Sequence, residues 1–253
     1  MYRVVIPARY GSTRLPGKPL LPLAGKAMIQ WVYERARRSG AQQVIVATDD
    51  ERIAQLVREA GGEAWLTAVS HSSGTDRIAE VARRARWSDT DIVVNVQGDE
   101  PLMPEALLDQ VAALLAADAE AEIATLCVPL ESVQALLDPG VVKVVTDLKQ
   151  RALYFSRAPI PWSRESAPTG WLSQSSHAGA QRHLGLYAYR VASLQRMAAL
   201  APSRLEQIEK LEQLRALEHG MCIRVATAVA SPGPDVNTLA DVAAVGALLE
   251  AGR

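Results

Sequence analysis

Aromatic side chains are scarce in this 253-residue chain, with one Phe, six Tyr and five Trp, and neither sign of charge prevails, with 27 Lys plus Arg against 28 Asp plus Glu. Single-strand binders stack bases on aromatic rings set in a basic face, and duplex or membrane-surface binders need an excess of cations, so the composition speaks against these classes. Cysteine is nearly absent. Cys127 and Cys222 lie far apart, sit among apolar neighbours and match no metal or redox spacing, which predicts inert core thiols in a reducing compartment. The longest apolar run, from Val111 to Ala117, falls far short of the roughly 20 residues that span a bilayer, and the opening Met1-Tyr-Arg-Val-Val-Ile6 carries no charged-then-apolar leader. The expectation is a cytoplasmic protein with small soluble substrates, no nucleic-acid partner and no membrane partner.

What is present is a rhythm. Short β-branched runs (Arg3 to Ile6, Val44 to Ala47, Ile92 to Val96) alternate with helical patterns (Met28 to Arg38, Glu51 to Ala60, Ile78 to Ala85, Leu107 to Leu115). Such alternation predicts βαβ units, hence an α/β fold with a Rossmann-like, mostly parallel sheet and helices on both faces. After Leu130 the rhythm loosens into a smaller α+β second half, with strands expected at 141–146, 152–155, 184–189 and 223–229. Pro159, Pro161, Pro168 and a cluster of Ser between 163 and 176 mark a long polar connection. No repeat or low-complexity linker divides the chain, so residues 1–253 are read as one unit.

Directly after the first strand comes Pro7-Ala-Arg-Tyr-Gly-Ser-Thr-Arg-Leu-Pro-Gly-Lys-Pro19, with two glycines and three cations, Arg9, Arg14 and Lys18. In an α/β sheet this loop sits at a strand's carboxyl end, where ligands bind. It lacks the G-x-G-x-x-G fingerprint of dinucleotide binders. It is not a P-loop either, because five residues separate Gly11 from Gly17 and Pro19 stands where Ser or Thr is required. Arg forks and a Lys point charge on a flexible backbone suit a polyphosphate, although a solvated basic loop is equally compatible with these residues alone.

The run from Ile6 to Leu20 resembles the signature of the cytidylyltransferases that activate acidic sugars. The likeness continues through Ala47-Thr-Asp-Asp50, His71-Ser-Ser-Gly-Thr-Asp-Arg77, Asn95-Val-Gln-Gly-Asp-Glu-Pro101, the segment from Ala152 to Pro161, His183-Leu-Gly-Leu-Tyr-Ala-Tyr-Arg190 and Leu211-Glu-Gln-Leu-Arg215. The resemblance implies a nucleotide-diphospho-sugar-transferase-like fold, with residues 1–130 mainly binding CTP and residues 131–253 mainly binding sugar and forming a homodimer. It implies a Mg²⁺-dependent enzyme acting on CTP and an acidic 2-keto sugar, 3-deoxy-manno-octulosonate (Kdo) before others, in support of lipopolysaccharide synthesis. Arg9, Arg14, Lys18 and Asp99 would then be catalytic. CTP would meet Ala8, Arg9, Gly11, Ser12, Arg14, Lys18, Ser73, Gly74, Arg77 and Gln97, and the sugar Gln97, Arg157, His183, Tyr187, Glu212 and Gln213. Arg157 would face the carboxylate.

Each assignment has a plainer counterpart. Asp99 and Glu100 follow an apolar strand, where a hard cation could bridge carboxylates to phosphates, yet an Asp-Glu turn could also cap the helix near Pro104. The hydroxyls of Ser72 to Thr75 could simply cap the next helix. From Leu205 to Glu218 apolar residues recur every third position, a series that slips round a helix instead of forming one stripe. Within that expected helix Glu206 and Lys210 form an exposed i,i+4 pair, and Glu212 on a buried side meets either sugar hydroxyls or a core Arg. One position departs from the family: a metal-binding Asp is usual where Pro234-Asp-Val-Asn-Thr238 places Asn237, so Asp99, Asn237 and also Asp235 become the metal candidates. That departure leaves open a binding protein with impaired catalysis, or a sister enzyme for another 2-keto acid sugar.

Overall fold

A computed structural model describes residues 1–11, 15–167, 169–170 and 173–251. Strand β1 (Arg3–Ala8) leads through a 3₁₀ turn at Lys18–Leu20 to a two-stranded ribbon, β2 (Pro22–Leu23) and β3 (Lys26–Ala27), and then to α1 (Met28–Arg38). There follow β4 (Gln43–Thr48), α2 (Glu51–Glu59), β5 (Glu63–Leu66), α3 (Gly74–Arg84), β6 (Ile92–Asn95), α4 (Glu105–Ala117) and β7 (Ile123–Pro129). The remainder comprises α5 (Val133–Leu137), β8 (Lys143–Thr146), β9 (Ala152–Ser156), β10 (Gln181–Arg190), α6 (Val191–Ala199), α7 (Arg204–Glu209), α8 (Gln213–Glu218), β11 (Ile223–Thr227) and α9 (Leu239–Ala251).

Among the described residues one sheet runs β11-β7-β10-β6-β1-β4-β5, with β8 joined to β10 and β9 to β8. Neighbours β6, β1, β4 and β5 are parallel, as are β7 and β11, whereas β10 is antiparallel to both β6 and β7. Alternation along β1 shows why both faces need helices. Val4, Ile6 and Ala8 join a core with α1, α2 and α4, while Val5 joins another with α3, α6 and α8. The sheet is α/β and mostly parallel, as the alternating pattern predicts. A third cluster packs α9, through Val245 and Leu249, on Leu23 and on Met28 and Trp31 of α1. No helix among the described residues is long and apolar enough to cross a membrane. Cys127 and Cys222 are free, and burial pushes both thiols up, away from reactive thiolate.

The single helix expected from Leu205 to Glu218 is broken. Lys210 adopts a left-handed conformation (φ 54°), closing α7 before α8 begins at Gln213. A slipping apolar series offers one straight helix no continuous stripe to bury, and the kink instead buries Leu211 and Leu214 while Ile208 stays 66% exposed. The Glu206–Lys210 pair therefore does not form. Glu206 instead takes two hydrogen bonds from buried Arg215, at 2.8 and 2.5 Å. Strands β5 and β7 and helix α9 carry weak periodicity and were not expected from the sequence.

Candidate active site

A cavity of about 570 Å³ opens at the carboxyl end of β6, the end of an α/β sheet where ligands bind. Gly98 follows the lining residue Gln97, and there the turn after β6 crosses the end of β1 so closely that a Cβ would stand 3.1 Å from the Pro7 carbonyl oxygen. This crossing brings Asp99 to Lys18, whose Nζ lies 2.5 Å from Asp99 Oδ2. The opening loop and the acidic turn thus meet, as their positions after adjacent strands predict. Asp99 and Glu100 do not cap α4, whose N-cap, Pro104, has no side-chain bond.

The segment 232–237 lies over the same turn. Val236 donates its N–H to the Asp99 carbonyl (3.0 Å), and Asp235 and Asn237 line the cavity, with Asn237 Nδ2 donating to Asp235 Oδ2 at 2.5 Å. Burial, and then the charges of Asp99 and Asp235, push the Glu100 carboxyl up to about 8, and its Oε2 is buried without a partner. Crowded carboxylates with an orphan oxygen fit a hard cation. No group of three or more metal-type side chains is found among the described residues, so water and substrate oxygens would complete any such shell.

The opening loop is anchored at both ends. Gly17 donates its N–H to the Tyr10 carbonyl (3.1 Å), and Tyr10 N–H donates to Asp49 Oδ1 (3.2 Å). Ala8 is buried, whereas Arg9 and Gly11 are exposed. Ser12 and Arg14 lie outside the described residues. Arg77, expected to touch nucleotide, is 3% exposed and does not reach the cavity. It donates to Thr67 Oγ1 (2.5 Å) and Asp49 Oδ2 (3.0 Å), and through Asp49 it braces the loop.

Ser73 caps α3 in a reciprocal pair with Asp76, and Gly74 follows against Pro7. Thr75 is not the cap. Its hydroxyl donates to Glu212 Oε2 (3.0 Å), while Glu212 Oε1 is buried without a partner and stands 3.9 Å from Arg215. Burial pushes the Glu212 carboxyl up, against the hydrogen bonds of Ser73 and Thr75 and the charge of Arg215. Gln97, His183, Tyr187, Glu212 and Gln213 all line the cavity. Burial pushes His183 down to about 3, so its ring is neutral at ordinary pH. Thr125 spends its proton on the Leu186 carbonyl (2.8 Å), so its oxygen accepts from His183 Nε2 (3.1 Å), leaving Nδ1 as an acceptor.

Arg157, like Arg77, does not line the cavity. Its Nε donates to the Glu209 carbonyl (2.7 Å) and its Nη1 to the Pro139 carbonyl (2.8 Å), which pins it behind the cavity wall. The one Arg or Lys among the described lining residues is Arg182, immediately before His183. Sequence reasoning also passed over Asn95 and Tyr189, which line the floor. Asn95 left a trace, as the sole polar residue in the run Ile92 to Val96.

An open α/β sheet with a Lys–Asp pair and a polar cavity at its carboxyl end defines a nucleotide-binding transferase site. The family model for cytidylyltransferases matches residues 3–223, and the chain belongs to that family of nucleotidyltransferases. It is 53% identical over 250 residues to the 3-deoxy-manno-octulosonate cytidylyltransferase of Thioalkalivibrio sulfidiphilus (strain HL-EbGR7), covering 99% of each chain. The enzyme of that name from Pseudomonas fluorescens is also 53% identical, over 99% of this chain and 98% of the relative. Among solved structures, CMP:2-keto-3-deoxy-manno-octonic acid synthetase complexed with CTP superposes with a TM-score of 0.90 at 43% identity, covering 100% of this chain and 99% of the other. A 4-diphosphocytidyl-2C-methyl-D-erythritol synthase, at 11% identity and a TM-score of 0.63 over 98% and 99% of the two chains, shares the fold.

Proposed function

We propose that this chain catalyses the reaction for which its relatives are named: the anomeric hydroxyl of Kdo attacks the α-phosphorus of CTP, giving CMP-Kdo and pyrophosphate. The observation that carries the reading is 53% identity along 99% of both chains to an enzyme of that activity. The chemistry asks mainly for positioning and charge neutralisation, and no Ser, Cys or His nucleophile is needed.

Lys18, with Arg9 and Arg14, receives the charge of the leaving pyrophosphate. Ala8, Gly11, Ser12, Ser73 and Gly74 form the CTP side of the site, and Gln97 stands between nucleotide and sugar. His183, Tyr187, Glu212 and Gln213 hold the sugar, while Arg77 and Arg157 act from behind as braces. Asp99 and Asp235, with Asn237, would hold a divalent cation, Mg²⁺ by the hardness of these oxygen donors. When bound, such an ion draws triphosphate and sugar together and offsets the charge that develops on phosphate oxygens. Lys18 is paired with Asp99 in this structure, so one of the two must turn toward substrate when CTP enters.

A cytoplasmic homodimer serving lipopolysaccharide synthesis completes the proposal, with sedimentation velocity as the check on assembly. Asn237 favours a second reading, a CTP- and sugar-binding homologue with impaired catalysis. Pyrophosphate release with CTP, Kdo and Mg²⁺ separates the two. Steady turnover is expected, and its absence at every Mg²⁺ concentration, with CTP still bound, supports the second.

A further inference from the structure

The floor of the cavity is built from polar side chains placed where a sheet would otherwise be apolar. Asn95 ends β6 on the face that carries Val93, and Tyr187 lies directly opposite it on β10, with Tyr189 two residues further on the same face. Asn95 and Tyr189 are each 3% exposed. Burying an amide there costs free energy unless both of its ends are matched. The Tyr189 hydroxyl lies beside Asn95 and Thr75. Asn95 Oδ1 is buried without a hydrogen-bond partner, as are the Tyr187 hydroxyl and Glu212 Oε1, the last standing 3.9 Å from Arg215. All three residues line the one cavity.

We infer that Asn95 is a specificity-determining residue, its carboxamide oxygen accepting a hydrogen bond from one hydroxyl of the sugar's polyol part, with Tyr189 as the positioning residue that sets which way the amide faces. The donor census supports this orientation. Asn95 Oδ1, Glu212 Oε1 and His183 Nδ1 can accept, and the Tyr187 hydroxyl can donate. An acceptor-rich floor attracts hydroxyl groups and repels carboxylate and phosphate, so the polyol end of the sugar goes in first. Its carboxylate and anomeric hydroxyl then face away from this floor, toward the proposed CTP side. Tyr189 stacks on Tyr187, with ring centroids 5.8 Å apart, which keeps both hydroxyls in register with the floor. The inference rests on the proposed sugar substrate and adds a residue and an orientation to it.

The test is steady-state kinetics of pyrophosphate release from CTP with Kdo or with its mono-deoxy analogues, for the natural protein, Asn95→Leu, Asn95→Asp and Tyr189→Phe. Asn95→Leu is expected to raise KM for Kdo about tenfold or more and to leave KM for CTP unchanged, because only the sugar hydroxyl loses its partner. The natural protein should show the same penalty with one deoxy analogue, and with that analogue Asn95→Leu should cost nothing further. Asn95→Asp, which keeps an acceptor and nearly the same shape, should retain most of the affinity even if the Leu variant fails to fold. Tyr189→Phe should raise KM for Kdo less than Asn95→Leu does, with kcat little changed. If the natural protein turns over Kdo while Asn95→Leu loses equally with every analogue, or Asn95→Asp loses KM for CTP in parallel, the assignment is overturned alone. A natural protein that releases no pyrophosphate with Kdo overturns the proposed reaction and the assignment with it.

Discussion

Arg157 and Arg182 both lie after residue 130, and their surroundings differ. The Arg157 guanidinium already donates to two backbone carbonyls, which tie the end of β9 to residues 139 and 209. Arg182 lines the cavity, and no hydrogen bond or ion pair engages its guanidinium among the described residues. Arg182→Ala is therefore expected to raise KM for the acidic sugar about 30-fold, roughly 2 kcal/mol, the low end for truncating one member of an enclosed charge pair. Arg157→Ala should mainly lower the melting temperature, and calorimetric titration with Kdo beside thermal unfolding distinguishes the two. Asn237 carries the second expectation at this scale. Its amide donates to Asp235 and occupies a carboxylate oxygen that a cation would otherwise meet. Asn237→Asp should lower the Mg²⁺ concentration for half-maximal rate severalfold and tighten Mn²⁺ binding to the CTP complex, followed by water-proton relaxation. An unchanged pair of curves would remove position 237 from the metal site.

Among the elements, the α7–α8 pair depends on one guanidinium. Buried Arg215 on α8 bonds Glu206 on α7 through two nitrogens and donates weakly to the carbonyls of Met197 and Leu200 at the end of α6. It thereby holds the turn through Leu211 that presents Glu212 to the cavity. Burial pushes the Glu206 carboxyl up, but hydrogen bonds from Arg215 and the Ser203 N–H outweigh it and leave the group below its ordinary value. A depressed carboxyl adds stability above its unfolded pKa of about 4.3, and that stability is lost as pH falls through the folded value. Arg215→Met is expected to cost about 3 kcal/mol at pH 7, because a half-buried carboxylate loses its partner, and the loss should shrink below pH 4. Urea unfolding at pH 7 and at pH 3.5 tests this, and equal losses at both would count against the ion pair. The same alteration should raise KM for Kdo through Glu212.

Over the whole molecule, the sheet does not respect a division at residue 130. β10, from the second half, lies between β6 and β7 of the first and pairs with both. Both large cores mix residues from the two halves, as Leu184 and Leu186 do in one and Ile78 and Leu214 in the other. A chain cut between residues 130 and 131 should therefore yield neither half folded alone, and the intact protein should unfold in one calorimetric transition. Two transitions, or a folded 1–130 fragment, would make the halves separate domains.

Local pattern was enough for much of this. The β-branched runs of β1, β4 and β6 and the stripe of α1 are legible because burial on both faces of a parallel sheet leaves an apolar signature in consecutive residues. The loop from Pro7 to Pro19 and the Asp99–Glu100 turn were legible for the same reason, since each follows such a strand. What the chain order could not carry is which distant groups meet. Whether an arginine faces a cavity or a carbonyl, as with Arg182 and Arg157, depends on partners distant in sequence, and only the packed structure decides it. The break at Lys210 and the orphan oxygen of Asn95 are of the same kind. The first follows from where Leu211 and Leu214 find cover, and the second from a cavity that exists only once β6, β10, α3 and α8 have converged.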